Sequence, residues 1–395
     1  MFGRMSRHNR GWHTSQRLEE VNGSSDVMLH LLSKWVPESW VYGFRDSGNL
    51  RSVVDGLVSV LIMIGRLAPS LRRRERELSQ RRRILYYGPL TCRSRIIESY
   101  PTLQQSEGRH RPWIMFVHGG AWGSGRPFMY RLMVDTLLGM GFGGVLLLGY
   151  RTYPDAGILE QVDDVLQALR WCQANPTAWS GNHTAAPALV LCGHSSGANL
   201  ILQVALRWRR ERDRQAALPD ITAFVGLSTP AELLRHESFE AGRGGEKLST
   251  MTAAAAREPT EGISVPLHGM QHHDLSHRWL IPTQVAGLLR SSPTHLCRAL
   301  SPRDLDSGTL TLSDLPNILL AHGTRDTVLP PLQSSELAEL LRERGAQVDL
   351  LWLTGADHTT FTYLMFPEWH AGDQGAEALW RRLRALSEPP LRPRL

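Results

Sequence analysis

A serine between glycines is the first candidate for chemistry in this sequence. Residues 193–197 read Gly-His-Ser-Ser-Gly, a G-x-S-x-G pattern with Ser195 at its centre. Alone the pattern also fits a polar turn, but an apolar strand-like run precedes it and an amphipathic helical run follows. A sharp strand-to-helix turn lifts the central serine above a sheet edge, in front of the helix N-terminus. We therefore predict that Ser195 is a nucleophile and that the Ser196 N–H faces a developing oxyanion.

A serine hydroxyl needs a base to activate it, and the base needs an acid to orient it. Two later strand-like runs end in suitable residues: NILLAHG is followed by Asp326, and VDLLWL by His358. The order serine, acid, histidine is usual for this strand–turn–helix arrangement. We predict Asp326 as the acid and His358 as the base. His118 and His322 are the alternative bases, and Asp357 is the alternative acid.

A glycine-rich turn predicts the third part of the site. HGGAWGSG, residues 118–125, follows the strand-like run WIMFV. Glycine lets backbone N–H groups approach a ligand closely. We predict that Gly119 and Gly120, together with Ser196, stabilise the oxyanion. Loss of one such donor typically costs about 3 kcal/mol of transition-state stabilisation.

These residues need a scaffold, and the apolar pattern supplies one. Eight short apolar runs predict strands, and from the third run onward segments of helical length mostly separate them. The runs begin at Ile84, Arg95, Trp113, Gly144, Ala188, Ala223, Asn317 and Val348. Amphipathic helices are predicted at Ile158–Gln173 and Ser334–Ala346. Alternating strands and helices predict an α/β fold with an eight-stranded, mostly parallel sheet covered on both faces.

The interval 229–311 contains no strand of this kind, and we predict that it forms a cap or lid over the C-terminal sheet edge. Residues 236–262 are small, polar and glycine-rich, which predicts a flexible loop. The following section contains five histidines: His268, His272, His273, His277 and His295. No carboxylate-histidine motif of known ligand geometry accompanies them, so we predict no metal.

The first 83 residues are predicted to form a segment separate from a catalytic domain at 84–395. In residues 53–69 an apolar stretch has only ten uncharged residues between Asp55 and Arg66. A helix that spans a membrane needs roughly 20 consecutive apolar residues. Because the arginine-rich block 71–83 follows, the pattern resembles a membrane-surface anchor. A core-packing helix followed by a solvated charged helix is the alternative.

Composition limits the other function classes. The formal charge is +6, and lysine occurs only at Lys34 and Lys247, so arginine carries nearly all positive charge. Glu75 and Glu77 dilute the arginine block, and no aromatic residues are interleaved, which disfavours nucleic-acid binding. The four cysteines lack CxxC spacing and predict reduced thiols. We expect no secretory signal peptide, because the first residues are rich in Arg, Ser and His and contain no apolar segment.

The motifs together resemble the α/β-hydrolases of the hormone-sensitive-lipase-like esterases, and most closely the isoprenylcysteine α-carbonyl methylesterases. RRRILYYG, FVHGGAWGSG, YRTYP, CGHSSGAN, LPNILLAHGTRDTVLP and LLWLTGADHTTF occur in that order. The likeness covers about residues 53–375, and the HGGxW turn also occurs in kynurenine formamidases. Residues 242–259 look like an insertion, and Ser196 stands where the family often has alanine.

The resemblance implies a serine esterase without a cofactor. Ser195, Asp326 and His358 take the triad roles, and Gly119, Gly120 and Ser196 are the oxyanion donors. The implied substrate is a prenylcysteine methyl ester, with methanol as the first product. Alternatives are an arylformamidase, a general short-chain carboxylesterase, or an inactive scaffold at a membrane. We expect association with the endoplasmic reticulum or Golgi membrane, with the catalytic domain cytosolic; a cytoplasmic protein is the alternative.

Overall fold

The computed structural model describes most of the predicted catalytic region in seven stretches. They are residues 69–102, 111–181, 183–213, 218–242, 250–257, 287–299 and 312–388. The apolar stretch at 53–68 lies outside the described residues, and so do His268, His272, His273 and His277 of the predicted cap.

Eight strands form one sheet, as predicted. They are β1 Arg83–Tyr86, β2 Ile96–Pro101, β3 Trp113–Val117, β4 Gly144–Leu148, β5 Leu189–His194, β6 Ile221–Leu227, β7 Asn317–Gly323 and β8 Val348–Leu353. Their order is β1-β2-β4-β3-β5-β6-β7-β8. β2 pairs antiparallel with both β1 and β4, and all other pairs are parallel. The central strands β3, β4 and β5 are buried along their whole length, which explains why their sequences are apolar without alternation.

Helices cover both faces of the sheet. They are α1 Pro69–Arg81, α2 Val134–Gly139, α3 Ile158–Ala174, α4 Pro176–Ser180, α5 Ser196–Asp213, α6 Leu233–Ala241, α7 Met251–Ala256, α8 Pro293–Ala299, α9 Leu332–Glu343, α10 Thr362–Met365 and α11 Gln374–Leu386. Short 3-10 helices lie at Pro127–Met133, Leu312–Asp314 and Pro367–His370. Along β3, Met115 packs in one hydrophobic core and its neighbour Phe116 in the other. The alternation places one core on each face, as expected when side chains point to opposite sides of a strand.

The arginine-rich block is a helix that packs on the sheet domain. Leu71 and Leu78 of α1 are buried in one of the two cores. Arg74 donates to the Leu132 carbonyl at 2.6 Å. The solvent-facing arginines include Arg72, Arg73 and Arg76. Helix α1, which precedes the predicted boundary at residue 83, therefore packs against the same core as the sheet.

A buried carboxylate ties the end of α1 to the sheet. Glu98 of β2 accepts two bonds from Arg131, at 2.7 Å from Nε and 2.5 Å from Nη2. Tyr100 donates to the same carboxylate at 2.8 Å, and Arg82, just after α1, lies 3.4 Å away. Because Glu98 is buried, its charge depends on these partners.

The predicted cap contains helices where a flexible loop was expected. The prediction for residues 236–262 is wrong over most of α6 and over α7, because Met251, Ala254 and Ala255 are buried in a core rather than solvated. Residues 243–249, 258–286 and 300–311 lie outside the described residues. Within the described stretches, no helix meets the length and apolarity needed to cross a membrane. The same stretches contain no cluster of side chains suited to a metal ion.

Candidate active site

The turn between β5 and α5 exposes Ser195 at the C-terminal edge of the sheet. Its φ is +52°, a left-handed conformation that costs a non-glycine residue about 1–3 kcal/mol. The Ser195 N–H donates to the Leu227 carbonyl at 2.9 Å. A Cβ added to Gly193 would lie 2.6 Å from the carbonyl carbon of Gly197. A Cβ on Gly197 would overlap the Val117 carbonyl, so the turn closes only with glycine at both positions.

The structure brings Ser195, His358 and Asp326 together in one hydrogen-bonded row. His358, which follows β8, has Nε2 at 3.0 Å from Ser195 Oγ. Its Nδ1 lies 2.8 Å from Oδ2 of Asp326, which follows β7. Because the ionised carboxylate only accepts, Nδ1 carries the proton and Nε2 is free to accept from the serine hydroxyl. This arrangement can remove a proton from Ser195.

Asp326 is held as a carboxylate. Its Oδ1 accepts the N–H groups of Val328 and Leu329 at 3.0 and 2.8 Å. His322 lies 3.1 Å from Oδ2. Burial raises the pKa of Asp326, but the charge of His358 and hydrogen bonds from His322 and His358 outweigh it, leaving the pKa well below its ordinary range. The ionised group can orient His358 and stabilise its imidazolium form.

The alternative acid and bases have other partners. Asp357 Oδ1 accepts the Thr359 N–H at 2.7 Å, which caps its own turn. The His118 ring stacks on Tyr150, with centroids 4.3 Å apart. His322 shares Asp326 and also contacts Ser334 Oγ at 2.6 Å. Within the described part of the chain, none of the three is hydrogen-bonded to Ser195.

The glycine-rich turn after β3 is fixed through its carbonyl groups. The Gly119 carbonyl accepts from His118 Nδ1 at 3.0 Å. The Gly120 carbonyl accepts the N–H groups of Gly123 and Ser124, at 3.1 and 2.9 Å, and the Ser124 hydroxyl at 2.9 Å. The C=O and N–H of a trans peptide point in opposite directions. The N–H groups of Gly120 and Ala121 therefore point away from these partners.

The backbone N–H groups left without a partner beside Ser195 differ from the predicted oxyanion donors Gly119, Gly120 and Ser196. The Gly119 N–H donates to the Tyr130 hydroxyl at 3.2 Å, so Gly119 does not have a free donor. The N–H groups of Gly120, Ala121 and Ser196 have no partner among the described residues. A Cβ on Gly119 would lie 3.1 Å from the Ser195 Cβ, so the turn lies directly against the serine. Ala121 was not predicted because only glycines were considered within this turn, whereas every non-proline residue carries an N–H.

A residue of the predicted cap contacts the same turn. The Thr250 hydroxyl, at the start of α7, donates to the Ala121 carbonyl at 2.5 Å. Ala121 and Trp122 have φ values of +50° and +60°, so two consecutive non-glycine residues are left-handed here. This contact is one support for a strained conformation that would otherwise relax.

The fold agrees with comparisons to known proteins. A family model described as alpha/beta hydrolase fold matches residues 114–362, more than half of the chain. This chain belongs to the alpha/beta hydrolase family. The matched segment includes the serine turn, the glycine-rich turn and both later turns that carry Asp326 and His358.

Several proteins and structures are similar to this chain. A probable isoprenylcysteine alpha-carbonyl methylesterase of Oryza sativa subsp. japonica is 24% identical over 254 residues, 63% of this chain and 51% of that protein. The isoprenylcysteine alpha-carbonyl methylesterase of Arabidopsis thaliana is 25% identical over 257 residues, 63% of this chain and 50% of that protein. The chain thus spans about half the length of these relatives. Esterase B from Lactobacillus Rhamnosis has a similar fold, with a TM-score of 0.53 at 16% identity over 85% of this chain and 96% of that one.

Proposed function

We propose that this protein is a serine carboxylic-ester hydrolase. His358 accepts the hydroxyl proton of Ser195 while Oγ attacks the ester carbonyl carbon. The tetrahedral oxyanion accepts hydrogen bonds from the backbone N–H groups of Gly120, Ala121 and Ser196. The C–O bond to the alcohol then breaks, and His358 gives its proton to the leaving oxygen. Water, activated by the same histidine, attacks the acyl-enzyme and releases the acid and Ser195.

One observation carries this proposal: the hydrogen-bonded row from Ser195 through His358 to the buried Asp326. The two contacts of 3.0 and 2.8 Å are short enough for proton transfer and for orientation of the base. The strained φ of Ser195 adds support, because such strain is typical of a nucleophile turn. An inactive scaffold has no need of either feature.

For the substrate, we propose a prenylcysteine methyl ester. Support comes from the names of the similar relatives in Oryza sativa and Arabidopsis thaliana, which are isoprenylcysteine alpha-carbonyl methylesterases. Hydrolysis of such an ester yields methanol first and the prenylcysteine carboxylate second. An arylformamide and a short-chain ester are the competing substrates.

A substrate comparison tests both levels of the proposal. Purified protein is assayed with farnesylcysteine methyl ester, formylkynurenine and p-nitrophenyl butyrate, beside Ser195→Ala and the exposed control Ser313→Ala. We expect methanol release from the farnesyl ester at the highest kcat/KM, loss of all activity in Ser195→Ala, and full activity in Ser313→Ala. A preference for formylkynurenine or p-nitrophenyl butyrate would overturn the proposed substrate. If none of the three compounds is hydrolysed, the proposed esterase function is wrong.

We also propose that the chain before α1 associates with a membrane, at the endoplasmic reticulum or Golgi. Support comes from the sequence alone: the apolar stretch 53–68 precedes an arginine-rich helix, and arginines near an anionic surface contribute about 1 kcal/mol each. The test is co-sedimentation with phosphatidylserine vesicles, using the full chain and a chain that starts at residue 68, which keeps α1. Equal sedimentation of both, or of neither at low salt, contradicts the proposal.

A further inference from the structure

A chain of hydrogen bonds behind Ser195 connects the three turns of the site. The Gly119 N–H lies 3.2 Å from the Tyr130 hydroxyl oxygen. That oxygen lies 3.4 Å from His194 Nδ1. His194 Nε2 in turn lies 2.9 Å from the backbone carbonyl oxygen of His358. The chain therefore runs from the glycine-rich turn, through the serine turn, to the turn of the base.

The chemistry of the groups fixes the direction of every bond. A carbonyl oxygen only accepts, so His194 Nε2 must carry a hydrogen and donate to His358. A neutral imidazole then has a lone pair on Nδ1, which accepts from the Tyr130 hydroxyl. The Tyr130 oxygen remains free to accept the Gly119 N–H. Burial, and then the charge of His358, lower the pKa of His194 to about 3, so the neutral form persists at neutral pH.

Aromatic packing holds the two side chains in place. Phe361 lies against both rings, 4.5 Å from His194 and 5.2 Å from Tyr130 between centroids. Phe116 contacts Tyr130 from the core at 4.9 Å. Both His194 and Tyr130 are buried, so their side chains are largely shielded from solvent. Their polar atoms are available mainly to each other and to the backbone of the site.

We infer that His194 is a positioning residue, which holds the backbone of His358 at the correct distance from Ser195 and, through Tyr130, from the glycine-rich turn. The inference rests on the proposed esterase function. His358 follows β8 at the sheet edge, three strands away from β5 and Ser195. A misplacement of about 1 Å in such a base can cost roughly 10²-fold in rate. His194 sits beside Ser195 and bonds directly to His358, so it fixes this distance across the sheet.

A matched pair of variants tests the donor role. His194→Gln keeps an amide N–H that can reach the His358 carbonyl, whereas His194→Met has a similar shape and no donor. We expect His194→Met to lower kcat by about 10- to 100-fold with KM within about threefold. His194→Gln should stay within about fivefold of the unchanged protein. Rates are expressed per serine titrated with a fluorophosphonate, so loss of folded protein does not count as loss of kcat.

Tyr130→Phe tests the part of the hydrogen-bond chain that reaches Gly119, and it keeps the ring packing. We expect kcat to fall by about fivefold, the effect of losing one ordinary hydrogen bond. Tyr87→Phe is the control. It removes a buried hydroxyl that donates to the Gly149 carbonyl at 2.8 Å and takes no part in the hydrogen-bond chain from Gly119 to His358. It should leave kcat unchanged.

The outcomes separate this inference from the proposed function. If the unchanged protein hydrolyses no ester, the proposed function fails first. If it is active and His194→Met is equally active per titrated serine, the positioning role is wrong. The role is also wrong if His194→Gln is as impaired as His194→Met, or if Tyr87→Phe lowers kcat as much as Tyr130→Phe. Selective loss in His194→Met and Tyr130→Phe supports it.

Discussion

At Asp326, burial and charge act in opposite directions on one carboxyl group. Burial disfavours the carboxylate, whereas His358, His322 and two backbone N–H groups stabilise it, and the stabilising contacts prevail. The residue thus remains an acceptor for His358 Nδ1 at neutral pH. Asp357, only one residue before His358, bonds to its own turn instead.

This difference predicts the effect of two matched substitutions. Asp326→Asn should lower kcat by about 10⁴-fold, because an amide no longer requires the proton on His358 Nδ1. Asp357→Asn should change kcat by less than about tenfold, since it alters only a turn. Steady-state hydrolysis of p-nitrophenyl butyrate measures both. Equal losses in the two variants would reassign the acid.

Among the elements, α1 is the one whose role the sequence pattern obscured. Its charged residues dominate the composition, and only Leu71 and Leu78, seven positions apart, turn inward. Together with Arg74 and the Glu98 ion pairs, they attach the helix to the sheet domain. A chain starting at residue 84 would therefore lose part of a core and part of a buried ion-pair network.

We expect Leu78→Ala to lower the free energy of unfolding by about 2–4 kcal/mol, since the side chain is 1% exposed and its removal leaves a cavity. Arg76→Ala, on the exposed face of the same helix, should change it by at most about 0.5 kcal/mol. Urea titration measures both. A loss of stability in Arg76→Ala as large as in Leu78→Ala would argue against the packed position of α1.

The start of α7 supports the glycine-rich turn through one hydroxyl. Thr250→Val keeps the shape of the side chain and removes the donor to the Ala121 carbonyl. We expect kcat to fall by about tenfold with little change in KM, because the oxyanion donors act mainly in the transition state. An increase in KM at constant kcat would show that Thr250 acts on substrate binding instead.

Across the whole molecule, features that depend on where strands end could be predicted from the sequence. Features that depend on contacts between distant side chains could not. The proximity of Ser195, Asp326 and His358 could be predicted because each follows a recognisable parallel strand, and such strand ends meet at one edge. Ala121 was missed because its backbone N–H is independent of residue type. The contacts of His194 and Tyr130 were missed because they join segments far apart in the chain. The packing of α1 on the sheet was not predicted, because charged residues dominate the sequence of that helix.

Two buried histidines predict how stability responds to acid. Burial lowers the pKa of His118 to about 4 and of His194 to about 3, from about 6.5 in an unfolded chain. Below pH 6.5 the unfolded chain binds protons at these sites and the folded chain does not, so stability falls as pH falls. Each histidine lowers the free energy of unfolding by about 1.4 kcal/mol per pH unit below pH 6.5. This range extends down to about pH 4 for His118 and about pH 3 for His194. Urea titrations at pH 7 and pH 5 measure the slope, which His194→Gln should reduce; equal stability at both values would contradict buried neutral histidines.

Covalent labelling of the serine turn is the most direct measurement of the central claim. The protein is treated with a fluorophosphonate, digested and mapped by mass spectrometry, with Ser195→Ala as the control. A hydroxyl activated by His358 attacks phosphorus and expels fluoride. We expect one label per chain, on Ser195, and no label in Ser195→Ala. A label on Ser196 or on a residue outside this turn, or an unlabelled protein that still hydrolyses esters, would contradict it.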